Sequence, residues 1–303
     1  MQLFPKKLSQ IYLVLFVSAF LTITGNFTFF QKTILIYPLS ENWLFLGSLF
    51  FFLFTFLAAL LLLFCYRVTT KPILIVLLMI SAIVSYSTNN YGIVFDHNMI
   101  LNTFETDTSE FLDLVSFKSI LYFFIFGLLP SIFVLKVKLK KISFKAQLWE
   151  RIKTFLVLVI IFVIIVLTFS KHYSSFAREN RDLRLYITPT YYLYSATKFV
   201  DSKFATSTKP FKEIGLDAKL NKKSDKRRLV ILVVGETARA DHMSLNGYDR
   251  NTNPYLEQEE IISFDKMTSC GTDTALSVPC MFSLLDRSSY NHAKGKNMSN
   301  VLD

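Results

Sequence analysis

Long apolar runs dominate the first part of the chain, and mixed polar and apolar residues follow them. Five runs approach or reach the roughly 20 residues that a helix needs to cross a bilayer. The pattern therefore predicts a membrane domain of five helices over residues 1–170, a linker with an interfacial helix over 171–226, and a globular domain over 227–303. The five predicted spans lie near residues 11–30, 44–66, 72–88, 119–136 and 154–170.

The first apolar run also resembles the start of a secretory signal peptide, because Lys6 and Lys7 precede it. Its apolar stretch is long for a signal peptide, and no small-x-small cleavage site follows it. We therefore interpret this run as an uncleaved first span.

Basic residues mark one side of the predicted membrane domain. If the five spans alternate, the basic residues within 6–7, 67–71 and 136–153 all fall on one side, which the positive-inside rule assigns to the cytoplasm. The opposite loop, 89–118, is acidic. Everything after residue 170 is then predicted to lie outside the cytoplasm. The net charge of +10 is mostly a topology signal on this interpretation and requires no nucleic-acid partner.

The segment after the last predicted span, 171–200, is rich in Tyr and Arg. Aromatic rings with polar tips favour the membrane interface, and arginines favour lipid phosphates, so we expect this segment along the outer leaflet. The alternative is an ordinary linker helix. In either case Pro189 should interrupt a helix there.

The three cysteines fall in two different environments. Cys65 lies in the second predicted span, where a packed and inert thiol is expected. Cys270 and Cys280 lie in the part predicted to be exported, where disulfides persist. We therefore predict that these two residues pair and hold the loop between them in one conformation.

From residue 227 the pattern changes to one typical of an α/β domain. The continuous apolar run 229–234 predicts a strand covered by helices on both faces. Ligands of open α/β sheets collect beyond the carboxyl ends of the strands, which is where Glu236 falls. The alternative is that Glu236 is a solvated turn residue.

A second candidate element begins near Thr274, where a helix start is predicted with Pro279 near its first turn. A hydroxyl at a helix N-terminus lies beside free backbone N–H groups and the positive end of the helix dipole, where a phosphoryl group can dock. The alternative is that Thr268, Thr272 and Thr274 only cap the helix.

Two segments carry a resemblance to a known family: residues 233–248 (VVGETARADHMSLNGY) and 268–283 (TSCGTDTALSVPCMFS). The chain resembles the phosphoethanolamine transferases of the Gram-negative inner membrane, which include lipid A modifying enzymes and the mobile colistin resistance enzymes. That family belongs to the alkaline phosphatase and sulfatase superfamily. The resemblance implies a five-helix transmembrane bundle followed by a partial sulfatase-like α/β domain in the periplasm.

The resemblance implies roles for two of the candidate residues. Thr274 matches the nucleophile that takes phosphoethanolamine from phosphatidylethanolamine, and Glu236 matches a zinc ligand. Zinc would lower the pKa of the threonine hydroxyl and stabilise charge on the phosphoryl oxygens, so Thr274 also contacts the metal. A phospho-threonine intermediate then passes its group to lipid A, although another periplasmic glycan remains open as the acceptor.

The acidic loop carries a third candidate set. Asn102, Thr106 and Glu110 follow one another at intervals of four and would line one face of a helix. By resemblance they match positions that bind the ethanolamine head group of the donor, and Tyr173 matches a lipid-binding tyrosine. The alternative is that the three residues form the polar face of a loop helix.

Asp241 and His242 look like a metal pair, but the family does not use them so. Its aspartate–histidine pair and further histidines match positions beyond Asp303. We therefore expect a fragment of a longer enzyme or the product of an interrupted gene, and no phosphoethanolamine transfer by these 303 residues alone. The competing hypothesis is a non-catalytic membrane remnant or sensor; a transporter is disfavoured because no inverted repeat is evident.

Overall fold

The computed structural model describes residues 7–105, 115–204, 211–219, 229–235, 238–264, 266–272, 274–290 and 298–301. The chain divides into two compact units, Met1–Ala205 and Thr206–Asp303. In the parts that are described, the first unit is predominantly helical, and the second consists of short helical turns, one α-helix and irregular loops.

The first unit contains ten α-helices within its described residues. They are α1 (Gln10–Gly25), α2 (Phe27–Ile36), α3 (Leu39–Phe64), α4 (Thr70–Tyr91), α5 (His97–Glu105), α6 (Phe117–Phe123), α7 (Leu129–Lys136), α8 (Phe144–Thr168), α9 (Ser170–Glu179) and α10 (Thr190–Phe204). A π-helical turn, Phe124–Leu128, joins α6 to α7, and a 3₁₀ helix, Arg181–Tyr186, follows α9.

Four stretches of the described chain are single helices long and apolar enough to cross a membrane: α3, α4, Phe117–Lys136 and α8. The first predicted span is instead a pair of helices, α1 and α2, bent by 58° relative to each other. This pair gives a fifth span if it crosses the membrane as a unit. The helical, transmembrane-type character of this region is thus confirmed, whereas the single span predicted over 11–30 stays a prediction, with two bent helices in its place.

Asn26 explains the break between α1 and α2. Its backbone is non-helical, with φ of −117°, and its buried side chain makes hydrogen bonds outside the helix. The amide nitrogen donates to the carbonyl of Thr188 at 2.8 Å, and the amide oxygen accepts from the backbone N–H of Thr188 at 2.9 Å. A residue remote in sequence therefore provides the hydrogen bonds that stabilise this bend.

The fifth predicted span begins earlier than the apolar run indicated. Helix α8 starts at Phe144, where the Ser143 side chain accepts a hydrogen bond from the backbone N–H of Ala146 at 3.4 Å. The first turns are charged, and the guanidinium of Arg151 donates to the carbonyl of Leu62 and lies 5.2 Å from the centre of the Tyr66 ring. A count of apolar residues overlooks such a polar extension, because it detects only the part of a helix suited to lipid.

The core of the membrane unit lies along α1, which packs against both α3 and α4. Leu13, Val17, Ala58, Leu74 and Leu78 are buried there. Helix α8 packs on α3 but exposes most of its apolar surface. A helix that is apolar all round and only partly covered by protein is suited to contact with lipid.

The fourth span is irregular around its π-helical turn. Pro130, in the first turn of α7, has no N–H to donate to the preceding turn. Gly127 permits close approach to α4, since a Cβ atom at that position would lie 3.1 Å from the Cβ atom of Ala82. Small residues allow this kind of close packing between membrane helices.

The segment after α8 packs on the membrane helices. Helix α10 begins immediately after Pro189, which confirms that no helix runs through that position. In α10 the Tyr192 hydroxyl lies 3.1 Å from the Ser81 hydroxyl of α4, and the aromatic residues of α9 pack against Phe29 and Phe45. The first compact unit therefore includes this segment, while its position at the outer leaflet stays a prediction.

The strand expected over the run that ends at Glu236 is not formed in residues 229–235, and the described part of the chain contains no β-strand. Side chains from Leu229 to Val234 are 43–86% exposed. A strand of this type requires neighbouring strands and helices on both faces. The described residues of the second unit provide only helix α11 (Thr274–Met281) and three 3₁₀ turns, at Ala240–His242, Ser244–Asn246 and Leu256–Gln258.

Candidate functional site

Thr274 is the first residue of α11, and its side chain is exposed. A disulfide between Cys270 and Cys280 joins the loop before this helix to its last turn, with 6.3 Å between the Cα atoms. The structure therefore contains the predicted pairing. Because the crosslink attaches both ends of the segment, the threonine hydroxyl is held at the start of a constrained helix.

Gly271 brings the loop close to the helix that follows. A Cβ atom at this position would overlap the side chain of Leu276, so any larger residue requires that side chain to move. The backbone N–H of Gly271 donates to the Ser269 hydroxyl at 3.1 Å. The glycine and the disulfide thus constrain the same short loop.

The position of Pro279 differs from the prediction. Helix α11 begins at Thr274, so Pro279 lies in its second turn instead of near the first. Proline has no N–H for the carbonyl four residues earlier, and the helix ends soon afterwards at Met281. The first turn keeps its backbone N–H groups, which have no acceptor inside the helix.

The second predicted metal ligand, Glu236, lies outside the described residues, as do Thr106 and Glu110 of the predicted head-group site. Asn102 is located in α5, where its side chain is half-buried. Helix α5 is held against α10 by the stacked rings of Phe104 and Phe199, whose centres are 5.2 Å apart. The structure thus places one member of the head-group set on a helix that packs beside α10.

Asp241 and His242 form a local cluster with Arg239. The Arg239 guanidinium donates to both carboxylate oxygens of Asp241, at 3.0 and 2.6 Å, and Nδ1 of His242 lies 2.9 Å from the same carboxylate. The hydrogen bonds from Arg239 and then from His242 lower the pKa of Asp241 to about 2. Both oxygens of Asp241 thus make hydrogen bonds to protein groups within this cluster.

The described residues include only part of the predicted zinc site, because Glu236 lies outside them. Structural and catalytic zinc sites use three or four ligands drawn from His, Cys, Asp and Glu. No group of three such residues within the described ranges could hold a metal. Zinc is therefore not part of the site geometry that can be derived from these side chains.

Tyr173 lies in α9, and its hydroxyl is 3.0 Å from the Ser48 hydroxyl of α3. Its ring contacts those of Phe45 and Phe52, with centres 5.5 and 5.1 Å away. Burial raises the pKa of Tyr173, so the phenol stays protonated. The residue connects α9 to α3, while the predicted lipid contact stays a prediction.

The structure thus combines a helical unit of the membrane type with an exposed threonine at the start of a disulfide-closed helix. Comparison with protein families agrees: residues 53–204 match the family described as phosphoethanolamine transferase EptA/EptB, and residues 228–303 match the sulfatase family. The chain belongs to the EptA/EptB family of phosphoethanolamine transferases. The predicted resemblance is confirmed, and the second unit is sulfatase-like although the strand predicted in it is absent from the described residues.

Individual relatives extend this similarity over nearly the whole chain. The chain is 39% identical to phosphatidylethanolamine transferase Mcr-1 from Escherichia coli, over 99% of this chain and 57% of the relative. It is 30% identical to phosphoethanolamine transferase EptA from Salmonella typhimurium, over 98% of this chain and 55% of the relative. The chain thus spans little more than half the length of these relatives.

A solved structure is also similar. It is the integral membrane protein lipooligosaccharide phosphoethanolamine transferase A (EptA) from Neisseria meningitidis, with a TM-score of 0.89 and 30% sequence identity. The match covers 98% of this chain and 56% of that structure. Together with the four to five apolar helices, this similarity identifies the chain as an integral membrane protein.

Proposed function

We propose that the protein transfers phosphoethanolamine from phosphatidylethanolamine to lipid A, with Thr274 as the nucleophile. The observation that carries this proposal is the position of Thr274, exposed at the start of α11 inside the Cys270–Cys280 loop. Family membership and the names of the relatives support the choice of the transferred group. The family match also argues against a non-catalytic sensor.

In the proposed first step, Oγ of Thr274 attacks the phosphorus of the donor. A bond forms between Oγ and phosphorus, the bond to the diacylglycerol oxygen breaks, and that oxygen takes up the threonine proton. The backbone N–H groups of the first turn of α11 are suitable donors to the phosphoryl oxygens. In the second step a hydroxyl oxygen of the acceptor attacks the phosphorus, the bond between phosphorus and Oγ of Thr274 breaks, and Oγ takes up the proton of the acceptor hydroxyl.

Zinc belongs to this proposal as the cofactor, with Glu236 and Thr274 as the residues that would hold it. When bound, zinc would supply a positive charge that polarises the phosphoryl oxygens and lowers the pKa of the threonine hydroxyl. Support comes from the sulfatase family match of residues 228–303. Binding can be checked by metal analysis of the purified chain and its Glu236→Gln variant.

The donor and acceptor sites are proposed by the same argument. Asn102, Thr106 and Glu110 would bind the ethanolamine head group, and Tyr173 would contact the lipid. For the acceptor, relatives named Kdo(2)-lipid A phosphoethanolamine 7''-transferase are 49% identical over 53 residues. A sugar attached to lipid A, or another periplasmic glycan, is therefore the second candidate acceptor.

We also propose that the protein lies in the inner membrane with residues after 170 in the periplasm. The basic residues within 136–153, and the acidic loop 89–118 predicted on the opposite side, support this orientation. Two variants, Lys140→Cys and Ser299→Cys, each in a chain without other cysteines, test this orientation. Labelling of intact cells by a membrane-impermeant maleimide should modify Cys at 299 and not at 140; the reverse pattern contradicts the orientation.

The nucleophile is tested by Thr274→Ala, with Thr272→Ala as the matched control, because both threonines are exposed within the same disulfide loop. Both variants are placed in the 303-residue chain and in a chimera continued with the C-terminal part of the Mcr-1 relative. Lipid A from expressing cells is then analysed by mass spectrometry for added phosphoethanolamine.

Thr274→Ala should reduce transfer by about 10³-fold or more in whichever form is active, since loss of a covalent nucleophile removes the reaction path. Thr272→Ala should keep most of the transfer. Equal activity of Thr274→Ala and the parent protein would contradict the proposal. Modification of a core sugar instead of lipid A would support the second candidate acceptor.

A further inference from the structure

A groove of about 1050 Å³ lies in the first unit between α3, α4 and the segment from Arg184 to Lys198. Helices α3 and α4 both pack against α1. Every side chain that the two spans contribute to the groove is apolar. Those from α3 include Phe56, Leu60 and Phe64, and those from α4 include Ile73 and Val76.

The polar groups of the groove all come from the segment after the last span. Arg184, Tyr191, Tyr194 and Lys198 line it there. The ammonium of Lys198 lies 4.8 Å from the centre of the Tyr194 ring. The groove therefore has apolar walls from the membrane helices. Its polar region, from the segment 184–198, carries cationic and phenolic side chains.

The two cations of this region lie at the surface, where Lys198 also makes a hydrogen bond with the Tyr194 side chain. Both are exposed, and neither forms an ion pair with another residue in the described part of the chain. Burial and the nearby Asp96 raise the pKa of Tyr191, while Arg184 and Lys198 oppose this rise. The Tyr191 phenol thus stays protonated and can donate a hydrogen bond beside the two cations.

This separation of apolar and cationic surface matches an amphiphile with a phosphate group. Ligand pockets usually enclose about 300–1000 Å³, so the groove is slightly larger than this range and has room for long chains. Basic residues next to gaps between membrane helices are suited to phospholipid head groups. We propose that the groove holds the acyl chains of one diacyl phospholipid, whose phosphate contacts Arg184 and Lys198.

This lipid site is built from the first unit alone and does not depend on the transfer chemistry. The test uses the full chain in nanodiscs of phosphatidylethanolamine and phosphatidylglycerol, with a trace of phosphatidylethanolamine that carries a photoreactive acyl chain. Adducts are mapped by mass spectrometry. In the parent chain they should concentrate on residues 56–64 and 72–77.

A filled groove should exclude the lipid. Val76→Trp places an indole in the groove, and Ile83→Trp is the matched control, because it lies on the same face of α4, is similarly exposed (51% against 53%) and does not line the groove. Val76→Trp should lower the adduct yield in the groove about tenfold, whereas Ile83→Trp should not change it. Leu60→Trp, on the opposite wall of the groove, should lower the adduct yield in the same way. Agreement between the two variants would show that the effect does not come from misfolding of one of them.

The head-group contact is tested by native mass spectrometry during stepwise delipidation. The double variant Arg184→Gln and Lys198→Gln should retain phospholipid about tenfold more weakly than the parent chain, from loss of two cations near the phosphate. Lys171→Gln with Arg181→Gln removes the same charge outside the groove and should retain the lipid. Diacylglycerol, which lacks the phosphate, should compete poorly with the phospholipid in the parent chain.

Three results would overturn the inference. The first is an equal adduct yield in Val76→Trp and Ile83→Trp, and the second is labelling spread evenly to outward residues such as Phe51 and Leu167. The third is equal phospholipid retention by the two double variants. None of these measurements depends on phosphoethanolamine transfer. A negative result for the lipid site would therefore not contradict the proposed function, and a chain without transfer activity would not contradict the lipid site.

Discussion

The two units of the chain use their apolar residues differently. In the membrane unit, apolar residues such as Leu78 pack along α1 or face outward from helices long enough to span a bilayer. In the second unit, the most apolar run, 229–234, is exposed. A helix satisfies its backbone hydrogen bonds within one segment, whereas a strand requires partners from elsewhere in the chain. Local sequence is therefore sufficient to form the first kind of element but not the second.

The largest expected effect contrasts one apolar residue from each unit. Leu78→Ala creates a cavity in the core of the membrane unit, where Leu78 is fully buried, and should destabilise it by about 2–5 kcal/mol. Ile231→Ala removes a side chain that is 76% exposed and should change the stability by less than about 0.5 kcal/mol. Thermal unfolding of the full chain in detergent measures both, and equal shifts would show that the run at 229–234 packs as a core.

Removal of the disulfide should affect the second unit alone. Cys280→Ser opens the Cys270–Cys280 loop. Because the unfolded chain gains conformational entropy, the free energy of unfolding should fall by about 2–3 kcal/mol for a ring of this size. Hydrogen exchange should accelerate in α11 and stay unchanged in α3 and α4. Cys65→Ser provides the control, since the Cys65 thiol is buried and unpaired. Unchanged exchange in α11 after Cys280→Ser would show that the helix does not depend on the crosslink.

Asn26 tests whether the membrane unit also depends on a distant partner. Asn26→Ala removes the hydrogen bonds to the backbone N–H and carbonyl of Thr188 and leaves these two groups buried without those partners. The free energy of unfolding should fall by about 1–3 kcal/mol. Asn42→Ala is the control, because Asn42 is only half-buried and its amide donates to the nearby Pro38 carbonyl instead of to a distant segment. Thermal unfolding compares the two, and similar stability of both variants would mean that the bend between α1 and α2 forms without this contact.

The parts of the fold that the sequence predicted are those fixed by short-range physics. The thickness of a bilayer sets the length of an apolar run, so the apolar part of each span was predictable, whereas the start of α8 at Phe144, before the predicted 154, was not. The bend at Asn26 was not predictable either, because its partner Thr188 lies 162 residues further along the chain. The strand at 229–235 was predicted from composition, but composition does not supply the neighbouring strands.

The candidate site shows the same division. The Cys270–Cys280 crosslink and the helix starting at Thr274 were predictable from a short motif, although Pro279 lies in the second turn of that helix. The groove between α3 and α4 was not predictable, because Lys198 meets residues of two spans only after the chain has folded. Glu236 lies outside the described residues, so its role stays a prediction.

The smallest expected effect concerns the exposed cluster around Asp241 in the second unit. Its pKa is lowered from 3.8 to about 2, mainly by hydrogen bonds from Arg239 and then from His242. A lowered carboxyl pKa favours the folded cluster above pH 3.8, and this contribution is lost as the pH falls through about 2. Side-chain NMR of the full chain labelled at aspartate should show Asp241 titrating near pH 2.

Arg239→Gln should move the titration midpoint of Asp241 upward, towards 3.8, because it removes the hydrogen bonds from the guanidinium that lower this pKa most. Asp286 is a useful internal control: hydrogen bonds from Ser289 and Ser288 lower its pKa, and no arginine contributes. The titration midpoint of Asp286 should therefore stay the same in the Arg239→Gln variant. An Asp241 midpoint that stays unchanged in this variant would show that the Arg239 contact does not form in solution, and that this loop of the second unit lacks the local order that the membrane helices possess.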